Sequence, residues 1–168
     1  MAELVPDKPQ GDAALRESEE RFRLATESGG VGILDYDVTA DRGRWAPEVC
    51  AVLGVPPDNV ITLADALTFV HADDRARVER AIAAALDPRG SGSFAEEFRI
   101  HRADTGESRW VSCACRTRFE GEGDGRCAAR FTGVVTDITV RKQTAERHSF
   151  LLRLADALRP ISDPLDAQ

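Results

Sequence analysis

Long apolar runs are missing from this 168-residue chain, and so is any excess of basic charge. The longest uninterrupted apolar stretch, Ala81 to Leu86, falls far short of the ~18 residues that a membrane span needs. Acidic residues outnumber basic ones 29 to 22, giving a net charge of −7 and a pI near 5.0. Nucleic acid and anionic membrane surfaces are bound through basic faces, so neither is an expected partner. The segment Met1 to Gln10 lacks the basic-then-apolar order of a signal peptide, and a cytoplasmic location is expected. Cysteine is sparse, at positions 50, 113, 115 and 127. Nothing marks export and the length needs no covalent staple, so four reduced thiols are expected. No Gly-x-Ser-x-Gly element or phosphate loop occurs, and Gly121, Gly123 and Gly125 alternate with Glu and Asp, the wrong charge for phosphate. No acid–base pair or nucleophile has partners, so no catalytic residue is assigned.

What remains is 42% apolar and 30% charged, enough for one core and its extensions. Residues 1–12 are polar, with two prolines and a glycine, and read as a disordered leader. From Ala13 a helical period places Leu15, Phe22 and Ala25 on one face, ending at Gly29-Gly30. Gly32 to Val38 alternates as a strand, residues 39–43 form a turn, and Arg44-Trp45 begins a second strand. Pro47 suits the first turn of a helix closed by Gly54, and Thr62 suits the cap of a helix over Leu63–Val70. His71 begins another helix, with Val78, Ile82, Ala85 and Leu86 as its buried stripe. Three longer strands follow over about 93–101, 107–119 and 126–137. This order predicts an α+β domain, a five-stranded antiparallel sheet with helices packed on one face. A further helix runs from Val140 to Leu158, where Leu151, Leu154 and Leu158 have seam spacing.

The segment Phe131 to Lys142 passes from a β-branched strand through Asp137-Ile138-Thr139 into a charged helix without a Pro or Gly break. It resembles the closing strand of a PAS domain, whose Asp-Ile-Thr motif these three residues match in the family's C-terminal (PAC-type) element. Glu97 to Ile100 and Asp104 to Val111 match the two preceding strands, and the resemblance covers roughly Ala13 to Glu146. It implies the PAS fold with flanking N- and C-terminal helices: a domain over 13–139, then a signalling helix over 140–168. The run from Phe150 to Pro160 is similar to the lead-in to a second signalling domain, such as a GAF domain.

The function implied is that of a sensory module in a bacterial signal-transduction protein, resembling the N-terminal region of sensor histidine kinases. A ligand or a change of dimer packing would pass through the exit helix, with Asp137, Ile138 and Thr139 as the relay. The alternative is a ligand-free dimerisation module. Alternation and family position give the pocket candidates Ile33, Trp45, Val52, Phe69, Val78, Ile82, Phe98, Val111 and Phe131. Expected partners are a second copy through the flanking helices, a downstream signalling domain and a small-molecule ligand.

Cofactors are tested by what the pocket helix carries. Some PAS domains bind haem through a His on the long helix, yet Asp73–Asp87 holds no His, Cys, Met or Tyr, and haem is not expected. Covalent flavin chemistry needs an Asn-Cys-Arg-type motif that is missing. Non-covalent flavin needs only a pocket and stays open, with Trp45 and Trp110 as lining or packing. His71 beside Asp73 and Asp74 reads as a helix start rather than a metal site. Cys113, Cys115 and Cys127 lack a fourth ligand, so no metal is expected. His148 follows Arg147 rather than an acidic residue and has no Pro within the next ten residues, which marks a linker residue rather than a phospho-acceptor.

Overall fold

The computed structural model describes residues 30–57 and 60–158, with side chains as far as 155. The leader over 1–12, the helix expected over 13–28 and the prolines at 160 and 164 lie outside the described residues. In chain order come β1 (Val31–Asp37), β2 (Arg42–Trp45), α1 (Pro47–Leu53), α2 (Leu63–Phe69) and α3 (Ala72–Leu86). After them come β3 (Ser93–His101), β4 (Ser108–Glu120), β5 (Cys127–Asp137) and α4 (Thr139–Leu158). The five strands form one antiparallel sheet in the order β2-β1-β5-β4-β3, as the alternation predicted.

Local chemistry sets the helix ends. Pro47 opens α1, and Gly54 closes it at φ +70°, donating its N–H to the Cys50 carbonyl. Thr62 and Asp65 form a reciprocal capping box at the start of α2. At the start of α3, the Nδ1 of His71 accepts the Asp73 N–H at 3.3 Å. Its ring lies 4.8 Å from that of His101. α2 stops at Phe69, one residue earlier than expected, because Val70 turns extended and bridges Ile100.

That bridge closes a sheet edge. Along β3, the His71 N–H bonds the Arg99 carbonyl at 2.9 Å, and the Asp74 carboxylate takes the Arg99 N–H at 3.0 Å. Along β2, Gly43 donates its N–H to the Ile61 carbonyl at 2.7 Å. Unpaired strand edges invite aggregation, and both edges of this sheet are capped by short pieces of the helical layer.

The core lies between the inner sheet face and α1–α3, with Val49, Val78, Ile100 and Val111 at 2% exposure or less. α1 sits very close to β1. A Cβ at Gly32 would come within 2.4 Å of the Val49 side chain, so that position admits no side chain without movement.

Candidate functional site

Between the sheet and α1–α3 the packing leaves a cavity of about 100 Å³. Period-two alternation decides which strand residues reach it. Leu34, Tyr36, Phe131 and Val135 line it, and Leu34 and Tyr36 pair with Gly133 and Phe131 across β1 and β5. Of the nine pocket candidates, Trp45, Phe69, Val78, Ile82, Phe98, Val111 and Phe131 line the cavity.

Ile33 does not. It pairs with Val134 on the outer face of the sheet, one residue out of phase with Leu34 and Tyr36. Asp35 and Asp37 share its parity, and that polar pair was the available signal for which face looks outward. Val52 packs against the core from α1 but does not line the cavity. Trp110 also faces outward, paired with Arg99, so Trp45 alone of the two tryptophans is a wall residue. Sequence reasoning missed Tyr36, Ile61, Phe94 and Ile100 as wall residues.

The Tyr36 hydroxyl, the Thr62 hydroxyl and the Cys113 thiol at the wall are engaged elsewhere. Tyr36 donates its hydroxyl to Asp41, a non-glycine residue at φ +49°. The same Asp41 carboxylate oxygen accepts the Leu63 N–H at 3.1 Å, which ties the cavity wall to the first turn of α2. Burial and the Asp41 carboxylate push the Tyr36 phenol well above its ordinary pKa, so it stays a donor. Asp41 is held below the ordinary carboxylate range by the same bond. Cys113 lies 3.6 Å from Cys115 on the inner face, sulfur to sulfur, and that contact together with burial raises the Cys113 thiol, which keeps its proton. Cys127 is exposed, so the three thiols do not converge. Among the described residues no buried side-chain nitrogen or oxygen lacks a hydrogen-bond partner, and no three ligating side chains cluster to hold a metal.

A second, larger groove of about 480 Å³ lies open on the outer face among Asp35, Asp37, Arg42, Arg44 and Arg130. It is solvent-facing and charged, with Arg130 and Asp35 paired across it. The apolar cavity between the sheet and the helices is the better ligand site.

The β5–α4 junction is gripped from both sides by one residue, Trp110. The Ile138 N–H donates to the Trp110 carbonyl at 2.9 Å, and the Trp110 N–H donates to the Thr139 hydroxyl at 3.0 Å. Asp137 accepts the Thr139 N–H at 2.8 Å through one oxygen and Arg109 at 3.1 Å through the other. Ile138 is buried. One turn into α4, Lys142 lies 4.6 Å from the Trp110 ring centre, and Arg99 lies 5.7 Å from it. Lys142 and Arg141 both reach Glu97, at 2.8 and 2.5 Å, and these two cations, Lys142 first, hold its carboxyl below the ordinary range.

These contacts run back to the cavity. Asp74 binds Arg99 at 2.9 Å from α3, whose Val78, four residues on, lines the cavity. Val111, beside Trp110, lines it too.

The family model for the PAS fold matches residues 43–130, from β2 into β5. The chain belongs to the PAS family. A PAS domain's five-stranded sheet with helices over one face is the architecture seen here. The chain is 31% identical to the non-motile and phage-resistance protein of Caulobacter vibrioides over 170 residues, covering 95% of this chain and 19% of that one. It is 29% identical to the sensor protein FixL of Bradyrhizobium diazoefficiens over 147 residues, 83% of this chain and 28% of that protein. This PAS chain thus spans under a third of the length of either relative. Among solved structures, the sensory box histidine kinase/response regulator from Burkholderia thailandensis E264 superposes with a TM-score of 0.63 at 26% identity. That match covers 83% of this chain and 98% of the other. No helix among the described residues is long and apolar enough to cross a membrane.

The cavity does not fit the larger cofactors that the sequence left to be tested. Its volume is well under the ~300–1,000 Å³ of pockets that bury drug-sized ligands, so a flavin ring system has no room beside Trp45 and Phe69 as packed. α3 carries no side chain able to ligate haem iron.

Proposed function

We propose that this chain is the PAS sensory module of a bacterial signal-transduction protein, a sensor histidine kinase, acting in the cytoplasm. Its input is the state of the cavity and its output the orientation of α4. The domain proper spans 13–139, and 140–168 is the linker that leads through α4 to a downstream domain. Asp137, Ile138 and Thr139 are the relay.

The observation that carries this reading is Trp110. Its main chain bonds both Ile138 and Thr139, and its neighbour Val111 lines the cavity. A shift of β4 at the cavity wall therefore moves the two bonds that set where α4 begins. The relatives support the setting: one is a sensor protein and a matched structure is a sensory box histidine kinase.

The partner we propose for α4 is α4 of a second copy. Phe150, Leu151, Leu152 and Leu154 are 44–58% exposed, beyond what the sheet covers. Leu151 and Leu154 hold seam positions, while Thr144 and Arg147 occupy the seam upstream. The first turns thus grip the sheet and the later turns are left for a partner. A ligand-free module that only holds two chains together uses the same seam without the cavity.

The experiment is hydrogen exchange over α4 in the folded Thr139→Val variant, which removes the acceptor of the Trp110 N–H. Protection should fall in residues 139–144 while β4 and β5 stay protected. Unchanged protection across that turn would contradict the relay.

A further inference from the structure

We propose that the cavity takes a small, uncharged, wholly apolar molecule, no larger than about a single six-membered ring, which enters beneath α2. This rests on the sensory reading above and narrows it to a ligand class.

Three observations lead there. The first is size. The cavity holds about 100 Å³. An engineered apolar cavity of roughly 150 Å³ stays dry and takes benzene or xenon. The second is polarity. Ligand pockets ordinarily place a few polar groups to fix orientation. Here the Tyr36 hydroxyl is turned to Asp41, the Thr62 hydroxyl to Asp65 and the Cys113 thiol to Cys115. Apart from the single indole N–H of Trp45, a hydroxyl, amine or carboxylate brought inside would find no side-chain polar group waiting for it and would lose its water. The third is access. α2 is one short helix with no fully buried residue, yet Leu63, Ala66, Leu67 and Phe69 form that side of the wall. Apart from its capping box, its start is tied down by the Asp41 bond to Leu63. The other walls are strands of the sheet, helices with buried residues, and the buried Ile61 and Val70 that flank α2.

The test uses the purified chain with benzene and phenol as paired probes, read by methyl NMR at Val78, Ile82 and Val111 with a thermal-shift control. Benzene should shift these methyls saturably. Phenol, which adds one hydroxyl, should bind about tenfold more weakly, the equivalent of ~1.4 kcal/mol. Ala66→Leu and, separately, Ile82→Phe fill the space and should abolish the benzene response in a chain that still melts cooperatively. Equal or tighter binding of phenol, binding of flavin mononucleotide, or a benzene response that survives both variants would each overturn the proposal. So would the lack of any benzene response in the parent chain. Failure here is separable from failure of the relay. Benzene that binds without altering exchange in α4 contradicts the relay alone. A cavity that refuses benzene while Thr139→Val still frees α4 contradicts the ligand class alone.

Discussion

At the scale of single residues, three side chains carry more than packing. Asp137 is the cap of α4 and the partner of Arg109, and it is only part-exposed. Asp137→Ala should cost about 1 kcal/mol, the usual worth of a lost helix cap, and leave the domain folded. Exchange in the first turn of α4 should rise while the core strands keep their protection. Tyr36→Phe removes the bond to Asp41 and should cost about 1 kcal/mol. Its local sign is faster exchange at Leu63, whose N–H shares the Asp41 oxygen. Asp74, buried between α3 and β3, is held down to about 2 chiefly by its hydrogen bonds with the Arg99 side chain, against the ordinary carboxylate value of 3.8. Its folded value lies below its unfolded one, so its contribution is full above about pH 4 and is lost as pH falls toward 2. With solvent screening, that loss is on the order of 1 kcal/mol. Urea melts at pH 6 and pH 2.5 should show it, and Asp74→Asn should shrink the difference between them.

At the scale of elements, the sequence was legible where local chemistry is strong and silent where a choice of face decides. Pro47, Gly54, Thr62 and the β-branched closing strand marked their elements to within a residue. Gly54→Ala should destabilise by more than the about 1 kcal/mol of an ordinary glycine replacement, measured by thermal melting. The position sits at φ +70°, and a Cβ there would meet the Asp104 carboxylate at 2.2 Å. At the junction, Asp137 and Thr139 bond to β4 through the Arg109 side chain and the Trp110 N–H. The pocket was read less well. Ile33 and Leu34 are adjacent apolar residues, and a one-residue choice of phase sends one to the cavity and the other to the outer face. Trp110 could not be read as the grip, because its main chain rather than its ring bonds Ile138 and Thr139. Long-range main-chain contacts leave no pattern along the sequence.

At the scale of the whole molecule, the proposed roles divide between the two ends of α4. The sheet end is bound by Trp110, Glu97 and Ile138, and the distal end presents exposed leucines. If a second copy covers those leucines, Leu151→Lys with Leu154→Lys should give a monomer at concentrations where the parent chain is a dimer. Sedimentation on dilution checks this, and an unchanged dimer would move the interface elsewhere. The central claim, however, is that the cavity and α4 are coupled through β4. It is tested most directly by filling the cavity and reading α4. Hydrogen exchange would be compared in the parent chain, Ala66→Leu, Asp137→Ala and the double variant, at residues 139–144. The account predicts that Ala66→Leu changes protection in that turn and that the change disappears when Asp137 is already Ala. A folded Ala66→Leu chain whose α4 exchanges at the parent rate would contradict it.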